Sequence, residues 1–321
     1  TKTIDVDCGT GTNITLWTRE DKVYRITPRQ NDAVNSCWMP DSHRLNYKYI
    51  NAETRIPQPV IRTDAEAPHR PSTWEPALAS AAEAVKRIAP NQLAIIASGR
   101  MTNEELYMVR HLAAQIGTDM VDIVPRMGES DGMLISADRN PNTNGARLVL
   151  GIEPGSRLDA IREGVRSGSV KGILTLGEDL TSPEAGFTAE ELDKLDYLFM
   201  TAHSANETAR HADLVLPGVT YAEKFGTMIN VTGRIQRLNR AIQPIGYARD
   251  DWQIFRDITL LLGGNPALKN FNSALDILTA MSTEYGALNG VSWGSIGDGG
   301  QPILETGVTI PVVEREKNQG R

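Results

Sequence analysis

Sulfur is scarce in this chain. Two cysteines, Cys8 and Cys37, stand among 321 residues. They cannot build a disulfide framework, and their scarcity suits a reducing, cytosolic compartment. Long hydrophobic runs are missing too. The longest candidates, such as Leu93 to Ala97 and Leu214 to Leu216, are strand-sized, well short of the ~18 apolar residues of a membrane span. Positive charge is not in excess: 33 Lys and Arg stand against 40 Asp and Glu, for a formal net charge of -7. That excludes the clustered basic footprint of a nucleic-acid binder. No charged-then-apolar signal segment opens the chain. Thr1 stands first instead of Met, which reads as a trimmed start with native residues upstream. What remains is an ordinary globular composition, 40% hydrophobic and 23% charged, long enough for one large domain or two smaller ones.

The opening residues alternate apolar and polar in Asn13–Thr18 and Lys22–Thr27, separated by Arg19-Glu-Asp21. This predicts a hairpin. Asp41–Tyr49 predicts a short helix capped by Asp41. Residues 56–73 hold Pro57, Pro59, Pro68 and Pro71 without a period, as a crossing linker does. From Ser72 onward helix and strand patterns alternate. A helix with Thr73 at its cap and Pro76 in its first turn leads to a strand at Leu93–Ala97. Thr102-Asn-Glu-Glu105 is a capping box opening a helix to Ile116, stopped by Gly117. Strands are predicted at Arg147–Leu150, Val170–Leu176, Asp196–Met200 and Ala212–Leu216, with helices at Leu158–Val165 and Glu190–Leu195. Two more helices run through Trp252–Leu262 and Leu275–Met281, and Val308–Val313 reads as a strand. The fold class is therefore α/β, a doubly wound, mostly parallel sheet behind a small β-rich unit. The expected division is 1–55, 56–262 and 263–321.

Few residues announce chemistry. Ser98-Gly99-Arg100 follows a strand and precedes a helix, where free backbone N–H groups can meet an anion. The five histidines, His43, His69, His111, His203 and His211, are scattered without metal-ligand spacing. No nucleophile constellation can be assembled. Glu223 and Lys224 read as loop anchors. Arg234, Arg237, Arg240 and Arg249, within Gly233–Arg249, read as an exposed basic strip able to dock on an acidic partner.

Three phrases carry a resemblance: Glu207-Thr-Ala-Arg-His-Ala-Asp-Leu-Val-Leu-Pro217, Tyr221-Ala-Glu-Lys-Phe-Gly226 and Gly233-Arg-Ile-Gln-Arg237. Together they resemble the signature of the molybdopterin oxidoreductase superfamily, which includes formate dehydrogenases, nitrate reductases and the large iron–sulfur subunit of respiratory complex I, the NADH-quinone oxidoreductase. Trp17-Thr-Arg-Glu20, Asn103-Glu-Glu-Leu-Tyr107, Asp138-Arg-Asn-Pro-Asn-Thr-Asn-Gly145 and Pro244-Ile-Gly-Tyr-Ala-Arg-Asp-Asp-Trp252 are most similar to the complex I branch. The family uses a [4Fe–4S] cluster held by C-x2-C-x3-C-x27-C and molybdopterin guanine dinucleotide. The resemblance lays those four ligand positions on Asp5, Cys8, Thr12 and Pro40, so that only Cys8 keeps a thiol and the opening unit reads as a degenerate iron–sulfur domain. It places the Ser98-Gly99-Arg100 turn near the pterin, and makes Gly177-Glu178-Asp179 the counterpart of a Gly-Glu-Asn-Pro loop that can contact guanine. No counterpart of the molybdenum ligand stands in Asp122-Ile-Val-Pro-Arg-Met127. Compared with full-length catalytic members, a second α/β domain before residue 147 and a terminal β-barrel are missing. The implied protein is a non-catalytic, scaffold-type domain of the large iron–sulfur subunit of complex I, carrying no cofactor of its own. Its partners would be other subunits of the peripheral arm, and its place cytoplasmic, peripheral to the inner face of the membrane. The alternatives are a fragment of a catalytic, formate dehydrogenase-like oxidoreductase, and a nucleotide-binding module using the Ser98 and Gly177 loops.

Overall fold

Residues 1–62 and 67–319 are described by a computed structural model; residues 63–66 of the expected linker lie outside the described residues. The opening unit is a three-stranded antiparallel sheet of β1 (Lys2–Ile4), β2 (Asn13–Arg19) and β3 (Lys22–Pro28). Glu20 and Asp21 both have positive φ, 51° and 54°. This is the two-residue mirror-image turn whose twist suits a hairpin. Helix α1 is only Asp41–Arg44, followed by a 3-10 turn at Lys48–Asn51. Pro40, not Asp41, occupies its cap position, and the Asp41 carboxylate pairs with Arg44 at 2.9 Å.

The large sheet has the strand order β5-β4-β10-β9-β8-β6-β7. The two strands at one end, β5 (Arg70–Pro71) and β4 (Val60–Ile61), are antiparallel, and they lie within the segment expected to be a bare linker. The other five, β6 (Leu93–Ala97), β7 (Val121–Ile123), β8 (Gly172–Leu176), β9 (Tyr197–Ala202) and β10 (Leu214–Pro217), pair in parallel. Their apolar runs are continuous because both faces are covered. Along β6, Leu93, Ile95 and Ala97 face one core and Ala94 and Ile96 the other. The first core receives α2 (Trp74–Arg87) and α3 (Asn103–Ile116); the second receives α5 (Leu158–Ser167), α6 (Ala189–Leu192) and α7 (Glu207–His211). Helix α3 has the predicted capping box between Thr102 and Glu105 and ends on Gly117 at φ 80°.

One predicted strand is a helix, and another is split between a loop and a helix. Arg147–Leu150 lies inside α4 (Thr143–Leu150), which ends on Gly151 in the left-handed region. A short apolar run does not by itself separate a strand from a buried helix turn; the Gly stop is the local sign of the helix. Val308–Val313 is a loop that turns into α11 (Pro311–Gln319), with Pro311 at the first helical position, where its missing N–H costs nothing. Between them, β11 (Gly226–Ile229) and β12 (Arg234–Leu238) form a hairpin joined by β13 (Gln301–Pro302). Helices α8 (Asp251–Leu261), α9 (Ala274–Glu284) and α10 (Trp293–Ile296) follow β12, and their apolar side chains extend the first core. The opening unit shares a core with Tyr221, Met228, Leu238 and Ile242, which seats it over the carboxyl ends of the parallel strands.

Candidate functional site

Taken in chain order, the parallel strands lie as second, first, third, fourth and fifth. The order reverses between β6 and β8, and ligands of such sheets bind outside the carboxyl ends at that point. Ser98 follows β6 and Gly177 follows β8. A Cβ built on Gly177 would lie 3.5 Å from Ser98 Cβ, and φ 74° at Gly177 suits only glycine comfortably. A cavity of about 80 Å³ opens there, lined by Ser98, Arg100 and Gly177 together with Tyr49, His203 and Lys224. Three of the predicted site residues therefore meet.

The others do not. Gly99 is pressed against the Asn140 side chain, which leaves no room for a Cβ. Glu178, 1% exposed, accepts two bonds from the Arg126 guanidinium. Asp179 accepts from the Thr181 and Thr208 hydroxyls, each at 2.7 Å. Burial alone would raise that carboxyl, but these bonds hold it below the ordinary value. Neither acid is free for a nucleotide. A larger cavity, about 510 Å³, lies beside Gly9, Arg126, Asp138, Asn140 and Arg147; its two arginines are held by Glu178 and Glu153.

Below the small cavity sits a charged network that sequence reading took only as loop anchoring. Lys224 donates to both oxygens of Glu105 at 2.7 and 2.8 Å. Arg55 donates to Glu223 at 2.6 Å. Burial would lower the Lys224 ammonium, but Glu105 and Asp251 outweigh it and raise it. Asp251 lines the cavity too; burial, then Glu105, push its carboxyl up to about 7. Burial pushes Asp250 up to about 6. His203 is driven the other way, to about 4, by burial and then Arg55 and Lys224, so its ring is neutral.

The degenerate ligand positions lie in the opening unit. Asp5 is buried and bonded to His43 Nδ1 at 2.6 Å. Cys8 is 1% exposed, its thiol raised by burial and by Asp5. Thr12 is buried with an unpartnered Oγ1. Pro40 precedes α1. Sequence spacing shows no metal-ligand pattern among the histidines, but one of them has two acidic neighbours in space. His43 joins Asp5 and Asp7, with ligand atoms within 4.8 Å of one another. The Asp5–His43 contact spans 38 residues, which leaves no local spacing to read.

The basic strip is less exposed than its sequence suggests. Arg237 bonds Asp298 at 2.5 Å and stacks on Trp293; Arg240 reaches Asp250 at 3.5 Å. Arg249 lies 4.2 Å from the Trp74 ring centroid, and Arg234 donates to Gly300 O. All four are engaged within the chain, Arg240 by a residue ten positions on and the others by partners more than sixty residues away.

Residues 123–259 match the family described as Molybdopterin oxidoreductase, and residues 1–48 match the NADH-ubiquinone oxidoreductase NDSU1/NuoG-like, 4Fe-4S domain. These matches support a place in the molybdopterin oxidoreductase superfamily, with NuoG-like similarity over residues 1–48. Among similar proteins, "Putative formate dehydrogenase SH0748" of Staphylococcus haemolyticus is 32% identical over 138 residues, 42% of this chain and 14% of that protein. "Putative formate dehydrogenase SAUSA300_2258" of Staphylococcus aureus is 31% identical over 153 residues, 44% and 16%. The matches thus span about a seventh of those relatives' length. The acetylene hydratase of Pelobacter acetylenicus shares the superfamily fold at 10% identity, with a TM-score of 0.59 over 92% of this chain and 73% of that one. No described helix is long and apolar enough to cross a membrane.

Proposed function

We propose that this superfamily domain is a structural, non-catalytic part of a multi-subunit oxidoreductase resembling the peripheral arm of complex I. The observation that carries the reading is the donor set at the cluster positions. A [4Fe–4S] centre needs four thiolates. Here Asp5 is committed to His43, Cys8 is a buried thiol held neutral, Thr12 offers a hydroxyl and Pro40 nothing. The residues do not fit a cluster.

They do not fit a pterin dinucleotide either. Cofactor pockets run to about 300–1,000 Å³, whereas the cavity at the switch point measures about 80 Å³. In the larger cavity the arginines that could take a pyrophosphate already hold carboxylates. What the site does supply is rigidity: the Lys224–Glu105 and Arg55–Glu223 pairs tie α3, the signature loop and residue 55 together.

The names of the staphylococcal relatives favour a second reading, a piece of a formate dehydrogenase-like enzyme. The two separate on analysis of the purified protein for molybdenum, tungsten and oxidised pterin. The structural role predicts none at stoichiometric level; bound pterin establishes the other reading. The nucleotide-module reading has only the meeting of Ser98 and Gly177 in its favour, and Glu178 and Asp179 are spent elsewhere.

A further inference from the structure

We propose that Asp5, Asp7 and His43 bind a single divalent transition-metal ion, with the Thr12 hydroxyl as a neighbouring oxygen donor. The proposal stands apart from the structural role inferred above. One carboxylate oxygen from each aspartate and a ring nitrogen of His43 lie within 4.8 Å of one another. Asp5 and His43 are 2% and 6% exposed, and two carboxylates drawn together out of water need compensation. His43 Nδ1 shares a proton with Asp5 Oδ2 at 2.6 Å. Asp7 accepts from the neutral Asn46 amide, at 2.9 and 3.0 Å, and the cation outside the group that favours its charged form is Arg100. One negative charge is left without a counter-charge inside the group.

Thr12 is the second, independent observation. The ladder of β1 and β2 pairs Ile4 with Asn13, and Asp5 N donates to Thr12 O at 2.8 Å. Asp5 and Thr12 are thus the next directly opposed residues, and opposed residues put their side chains on one face. Thr12 is 1% exposed and its Oγ1 has no hydrogen-bond partner. An unsatisfied buried hydroxyl costs about 1–3 kcal/mol. Here it faces the side that carries the Asp5 carboxylate.

Two carboxylates, an imidazole and a hydroxyl are hard to borderline donors. They suit Zn²⁺, Mn²⁺, Fe²⁺ or Co²⁺ and not a soft, thiolate-loving centre. Zinc bonds of about 2.0–2.2 Å space tetrahedral ligand atoms roughly 3.4 Å apart, so separations now within 4.8 Å close by at most about 1.4 Å while the Asp5–His43 pair, now 2.6 Å apart, opens by about 0.8 Å. The ion takes the place of the proton between Asp5 and His43. Metal–oxygen and metal–nitrogen bonds form, and the proton leaves to solvent. The bound ion joins the start of the chain to α1.

The test uses the whole chain, free of affinity tags and stripped with EDTA. Co²⁺ is titrated by its visible d–d absorption, and Zn²⁺ by calorimetry in buffers of differing ionisation enthalpy. The expected result is one Co²⁺ per chain, displaced by Zn²⁺, with release of about one proton. Asp7→Asn keeps an acceptor for Asn46, and His43→Gln removes the nitrogen. Each weakens binding by more than the about 10- to 100-fold that losing an outer-shell partner costs; Thr12→Val weakens it less. Should His43→Gln fail to fold by circular dichroism, Asp7→Asn, at a half-buried position, carries the test alone. Absence of saturable, stoichiometric binding by the parent overturns the proposal. So does an affinity unchanged by Asp7→Asn.

Discussion

Replacing Lys224 by Met tests the charged network beneath the switch point. The Lys224 side chain is 8% exposed and that of Glu105 is 1%. Glu105 also closes the capping box by accepting from Thr102 N at 2.8 Å, so it cannot swing out to water without opening α3. Lys224→Met therefore leaves a buried carboxylate with hydrogen bonds but no counter-charge. Breaking a buried pair from one side costs about 3–5 kcal/mol. For a chain of 321 residues the unfolding entropy is about 0.7 kcal/mol per kelvin, so the melting temperature should fall by about 4–7 °C. Urea unfolding followed by far-UV circular dichroism gives the free energy. The double variant Lys224→Met/Glu105→Gln should be less damaged than the sum of its singles by about 0.5–3 kcal/mol. A Lys224→Met protein within about 0.5 kcal/mol of the parent, the scatter of ordinary surface changes, would refute the network's structural role.

Three further outcomes follow. Burial pushes the Glu104 carboxyl up to about 7 from 4.5 despite its bonds to Thr227. A folded-state value above the unfolded one gives stability that is complete below about pH 4.5 and lost as pH rises through about 7; urea titrations across that window should find this component missing in Glu104→Gln. Cys8, 1% exposed, should resist thiol reagents in the native state while the exposed Cys37 reacts; equal rates contradict its burial. Arg237→Glu removes the Asp298 bridge and the Trp293 stack, and should lower stability by about 1–2 kcal/mol. No loss in urea unfolding would return Arg237 to the solvated strip expected from the sequence.

Sequence carried the parts of the fold that depend on near neighbours. The β2–β3 hairpin, the Thr102 capping box and the apolar strands β6, β8, β9 and β10 all rest on patterns within a few residues, and the structure has them. Arg147–Leu150 reads wrongly as a strand because four residues hold too little period to tell helix from strand. Ser98 and Arg100 are legible because a strand-to-helix turn is locally visible, Gly177 through the family resemblance, and the switch point brings the three together. That Glu178 and Asp179 are engaged could not be read locally, because their partners Arg126 and Thr208 lie 52 and 29 residues away. The Asp5–His43 contact and the Arg237–Asp298 bridge span 38 and 61 residues. Pairings of that length follow from the assembled topology, and composition and spacing carry no trace of them.

Anaerobic reconstitution of the purified chain with iron, with and without sulfide, tests the central claim most directly. The donor set Asp5, Cys8, Thr12 and Pro40 predicts that sulfide adds nothing: no thiolate-to-iron absorption, no acid-labile sulfide, and at most one iron per chain, taken up equally in its absence. Uptake of about four iron and four sulfide per chain, with the spectrum of a [4Fe–4S] centre, would contradict the account.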